Sequence, residues 1–240
     1  MTSLNHILGY PEIISGIGEV HPITLKDYDL FESCSSVLYL TKAHFGENYA
    51  DHFLLDLLVL GVNDDVIKNS LRLIFSIVTK KEVTLHIDAS TNNYAFVIDE
   101  ENQINKYNYD QLRQLIMKQN LMFEQKVYKN KIIKEWAEKA LKARSKKGAK
   151  ITIEDIISTI SVFTGKHYKD LASYTIYQLQ SDFNRINKLK DYDATIAFKC
   201  AGDDKSKIGH YAEFIDLFKN PNDDPFVDDS KLANLNSAIS

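Results

Sequence analysis

Apolar residues along this chain recur mostly at spacings of three and four, the signature of helical faces, and the clearest alternation of two falls between Val83 and Ile98. Thr152 with Asp155, and Thr175 with Gln178, form helix-starting boxes, in which a hydroxyl accepts from a free backbone N–H and the residue three positions on reaches back. Gly165 is the stop of the first of these two helices. Ile176, Leu179, Phe183 and Ile186 then share one face of the second.

The same signals order the N-terminal half. Thr24 with Asp27 opens a predicted helix over about 25–42, carrying Leu25, Tyr28, Phe31 and Val37. Residues 47–60 are apolar on several sides and end at Gly61, which predicts a buried helix. Asn63, followed by Asp64 and Asp65, starts another that runs to about Val78, with Leu71, Ile74, Phe75 and Val78 inward. Asn108 and Gln111 start one carrying Leu112, Leu115, Ile116 and Met117. Two β-hairpins are expected. One lies near Ile13 and Val20 around Gly16 and Gly18. The other joins Val83–Ile87 to Tyr94–Ile98, and must pack on the helices or pair with the first, because an isolated hairpin is marginal.

The predicted fold class is therefore mainly α with small β-hairpins, an α+β fold of helical bundle-like lobes with one N-terminal and one central hairpin. Nine glycines and four prolines in 240 residues agree with long helices and speak against an all-β sandwich or a glycine-rich nucleotide fold. Four segments follow: an N-terminal α+β lobe (1–125), a basic helix and linker (126–150), a C-terminal helical lobe (151–218) and an acidic tail (219–240) read as mostly disordered. Residues 126–150 hold ten Lys or Arg against two Glu, whereas 202–229 hold eight Asp or Glu against three Lys. The formal net charge of −4 provides no global field to recruit nucleic acid or an anionic membrane.

Candidate chemistry is sparse. Lys166 follows Gly165, but a phosphate-binding loop needs a glycine where Ile160 stands and a Ser or Thr where His167 stands. His44 and His52, eight positions apart, fall roughly 80° out of phase on a helix, which makes them poor metal partners. His86 and Asp88 share a strand face of solvated type, and no Gly-x-Ser-x-Gly elbow occurs. Neither a catalytic residue, a metal site nor a cofactor is expected. Cys34 and Cys200, lacking any CxxC spacing, read as small apolar fillers of a reduced cytosolic protein; no secretory leader and no 18-residue apolar run are found.

Contact surfaces are the remaining candidates. Tyr168, Tyr174 and Tyr177 combine apolar area with polar tips, suited to either an interface or a helix boundary, while Phe163 and Phe183 read as core. Trp136, Lys134 and Arg144 lie in the basic segment, which fits a solvated helix face, a docking site for an acidic protein segment, or a phosphate-tracking surface.

Residues 18–31, GEVHPITLKDYDLF, and the run from Ile151 through Ile186 resemble parts of the tail and baseplate assembly chaperones of tailed bacteriophages. The resemblance implies a non-catalytic protein of the infected bacterial cytoplasm that binds a phage tail or baseplate component during virion assembly. A permanent structural component of the virion, self-associating or not, is the alternative; a nucleic-acid-binding protein using 126–150 is a further one.

Overall fold

The computed structural model describes residues 3–88, 93–124, 150–203 and 205–220, together with Ile132, Glu135, Trp136 and Lys139. The expected tail beyond 220 and all but these four positions of 126–149 lie outside the described residues.

After a short helix α1 (Ser3–Leu8), strands β1 (Glu12–Ile14) and β2 (Gly18–Val20) form the N-terminal hairpin, with Glu12 opposite Val20. Gly16 and Gly18 adopt φ of 75° and 90°, left-handed conformations that this tight turn requires. Ile14, Ile17 and Val20 point into the core.

The helix expected over 25–42 is broken into a 3-10 turn at Leu25–Asp27, helix α2 (Tyr28–Cys34) and a second 3-10 turn at Ser35–Tyr39. The cause is local. Ser33, Cys34 and Ser35 turn their side chains back onto the carbonyls of Leu30, Phe31 and Glu32, competing with the backbone for those acceptors. The helix expected over 47–60 is also shorter. It begins only at α3 (Leu54–Asp56) and widens into a π-helical turn at Leu57–Gly61, which buries Leu54, Leu55, Leu57, Leu58 and Val59.

Helix α4 (Asp65–Thr79) follows, with Asp64 rather than Asn63 as its cap: the Asp64 carboxylate accepts from Val66 N–H at 2.8 Å. Its Leu71, Ile74, Phe75 and Val78 are buried, as their spacing requires. Strands β3 (Thr84–Asp88) and β4 (Asn93–Val97) make the central hairpin, extended to three strands by β5 (Gln103–Ile104). It packs on α4, with Phe96 edge-on to Phe75 at 4.9 Å, and it meets the first hairpin where Gln103 N–H donates to the Gly16 carbonyl. Helix α5 (Tyr109–Gln119) completes this core. At its end Gln119 donates to the Val20 carbonyl and Asn120 accepts from Ile23 N–H, so two buried side chains satisfy backbone left unpaired after β2.

A second, smaller core is built by α6 (Ile153–Thr164), the one-turn α7 (Tyr168–Leu171) and the long α8 (Ile176–Cys200). Ile156, Ile160, Leu171, Leu179 and Ile186 fill it, with Leu25 of the N-terminal half packed against them. The fold is thus α+β, mainly helical, with two small antiparallel sheets.

Candidate functional site: a two-helix contact module

Both starting boxes predicted for the C-terminal helices close. Thr152 accepts from Asp155 N–H while the Asp155 carboxylate accepts from Thr152 N–H at 2.9 Å, which holds that carboxyl below the usual range. Thr175 and Gln178 do the same at the head of α8. Gly165 ends α6 with φ of 73°, and Lys166 beyond it is exposed, its ammonium on the Tyr174 hydroxyl and 4.9 Å from that ring.

Backbone ties fasten this module to the N-terminal lobe. Thr175 forms a bridge with Thr24, Leu25 N–H donates to Tyr174 O at 2.9 Å, and Lys26 N–H donates to Ala172 O at 3.0 Å. Gln178 adds a side-chain bond to Ile7 O at 2.9 Å. Residues 205–220 then run back along α8 as a strap. Arg185 holds the carbonyls of Tyr211 and Glu213, Lys188 pairs with Glu213, and Tyr211 meets Tyr192 edge-on. The strap ends with Phe218 stacked on Tyr177 at 5.5 Å and edge-on to His6 at 5.1 Å. Burial, and then the Lys118 cation, lower the affinity of His6 for a proton.

The six sequence candidates separate. Tyr168 stands 59% exposed at the start of α7 and Trp136 is 64% exposed, whereas Tyr174 is half-buried under Lys166 and Tyr177 is buried between His6 and Phe218. Lys134 and Arg144 lie outside the described residues. Phe163 is 44% exposed beneath Lys190, so it is not the closed core residue expected, while Phe183 packs on the second core. Cys34 is a buried filler as expected; Cys200, at the end of α8, is exposed. Further apolar groups facing solvent are Val162, Phe198 and Phe214, the last in the strap, where no periodicity marks it. Exposed aromatic and aliphatic groups on α6, α7, α8 and the strap, with Lys190 over the Phe163 ring, are equipped to bury area against another protein.

A polar cleft of about 490 Å³ lies beside the three-stranded sheet, lined by Asp56, His86, Tyr94, Lys106 and Tyr107 among others. The Tyr94 hydroxyl donates to Asp56 at 2.7 Å, and burial with that neighbouring carboxylate pushes the phenol well above its ordinary range. Lys106 lies 3.8 Å from the same carboxylate, whose oxygens are therefore committed to structure. Among the described residues no group of three or more His, Cys, Asp or Glu side chains is placed to hold a metal ion, and no helix is long and apolar enough to cross a membrane.

The C-terminal module is similar to a described protein family. The family "YomV second domain" matches residues 144–216, which span α6 through most of the strap. Over a longer stretch the chain is similar to the SPbeta prophage-derived uncharacterized protein YomV of Bacillus subtilis (strain 168), with 28% identity over 215 residues that cover 88% of each chain. This similarity indicates a phage-derived protein. No solved structure matches the chain.

Proposed function

We propose that this is a non-catalytic phage protein that binds a structural protein of the particle, a tail or baseplate component, during virion assembly. The observation that carries the reading is the exposure of Val162, Phe163, Tyr168 and Phe198 on helices whose inner faces already close a core. These side chains are surplus to folding and cost solubility, a cost that a partner surface offsets when it covers them. Phage origin supplies the setting, and the working place is the bacterial cytoplasm.

The test is capture with tagged protein from cells producing the particle, comparing wild type with Val162→Asp and Phe198→Asp, both at exposed positions. A structural protein of the particle retained by wild type and lost with either variant supports the reading; retention by both variants overturns the assignment to these residues. Mass spectrometry of purified particles separates a transient chaperone, absent from them, from a permanent component present at fixed copy number.

A further inference from the structure

The three-stranded sheet stops one step short on its β5 side. In an antiparallel ladder, successive residues of a strand present their N–H and C=O to opposite edges. Ile98 N–H donates to the Asn102 carbonyl at 3.1 Å, and two positions back in the same register Phe96 lies opposite Ile104, so the β5-facing residues of β4 are Phe96 and, next in the series, Tyr94. The residue that would face Tyr94 is Lys106, but β5 ends at Ile104. Asn105 turns the chain away. Its carbonyl accepts from Asn108 and Tyr109 N–H, its N–H donates to Asn108 Oδ1 at 2.8 Å, and its side chain accepts from Tyr107 N–H at 2.9 Å. The Tyr94 N–H and C=O are therefore left on the open edge of β4, in the cleft of about 490 Å³, with no residue of β5 opposite them.

We propose that this gap is a strand-addition site: an extended segment of a partner polypeptide lies along β4 between Tyr94 and the Lys106–Tyr107 turn, and one of its residues exchanges both backbone hydrogen bonds with Tyr94. One donor and one acceptor on a single strand residue match the backbone of another strand, which makes an extended polypeptide the fitting occupant. Strand alternation then sets the side chains. The residue opposite Tyr94 shares the face of the Tyr94 ring, where Leu60 is 38% and Tyr107 75% exposed and the Asp56 carboxylate is already held by the Tyr94 hydroxyl and Lys106. An uncharged β-branched or aliphatic side chain suits that wall. The residues on either side of it point to the opposite face, over the small Ala95 with His86 and Gln103 beside it, and are polar. None of the C-terminal contact residues takes part, so this site stands or falls apart from the function proposed above.

The probe is the blocked peptide acetyl-Thr-Thr-Val-Thr-Thr-amide, titrated into the isotope-labelled full chain up to about 10 mM, the range in which a short lone strand binds, while backbone amides are followed by NMR. The Tyr94 amide proton is expected to move downfield and to exchange more slowly with solvent as its new hydrogen bond forms. The same peptide N-methylated at its valine is expected to bind about tenfold or more weakly, because it no longer donates to the Tyr94 carbonyl. No response at Tyr94 overturns the proposal. So does equal binding of the methylated peptide, a response centred on Leu85 and Ile87, whose amides face the outer edge of β3, or an equal response of Tyr94 to maltotriose, which would make the cleft a site for a small polar ligand.

Discussion

Thr175 ties the two cores together, and its substitution is a graded test of how the C-terminal module is anchored. The residue is 3% exposed, its hydroxyl accepts from Gln178 N–H at 3.2 Å, and its methyl lies where Gly9 leaves room. Thr175→Ser keeps the cap and deletes one buried methyl, costing about 0.8 kcal/mol. Thr175→Val keeps the shape and orphans the Gln178 N–H, costing about 1–2 kcal/mol. Thr175→Ala loses both, about 2–3 kcal/mol, or roughly 5–10 °C in Tm for a chain of this size. Urea and thermal unfolding followed by circular dichroism measure the series. The cap and the Gln178 side chain act reciprocally, so Thr175→Val and Gln178→Ala combine non-additively, by about 0.5 kcal/mol or more. A Ser variant less stable than the Val variant, or strict additivity of the pair, refutes the capping account.

Three further outcomes follow from particular contacts. Phe75, fully buried and edge-on to both Phe96 and Tyr109, is the centre of the larger core, and Phe75→Ala is expected to cost about 3–5 kcal/mol in urea unfolding. Tyr94→Phe removes the bond to Asp56 and is expected to cost about 1 kcal/mol, with little change in the circular dichroism spectrum. His6 has a depressed affinity for protons in the folded state, so its contribution is present above the ordinary histidine range and is lost as pH falls through and below it. Urea midpoints at pH 7.5 and pH 5 should therefore converge in His6→Phe relative to wild type; an unchanged difference removes His6 from the account.

The parts of this fold legible in the sequence are those whose partners lie within a few residues. The boxes at Thr152 and Thr175 need only the residue three positions on, and the faces of α4 and α8 need only periodicity. Thr24 and Asp27 do meet side chain to side chain at 2.8 Å, yet they open a 3-10 turn, because the Ser-Cys-Ser run downstream diverts the carbonyls a longer helix would use. What stayed hidden depends on distant backbone. Asn120 and Gln119 serve groups 97 and 99 positions away, and Arg185 holds strap carbonyls that no residue type advertises. The same blindness affects the candidate contact residues. Tyr168 and Tyr177 read alike by composition, and only the arrival of Phe218 and His6 makes one of them interior.

Site-specific photocross-linking in cells producing the particle shows whether the C-terminal module touches a structural protein of that particle. A photoreactive group is placed in turn at Val162, Tyr168 and Phe198 of the module, and at Val66 of α4, which is equally exposed on the other lobe. The three module positions are expected to cross-link to the same structural protein of the phage particle, and Val66 is expected not to. Cross-links from Val66 alone, or none from the module while the protein is folded and expressed, would contradict that expectation.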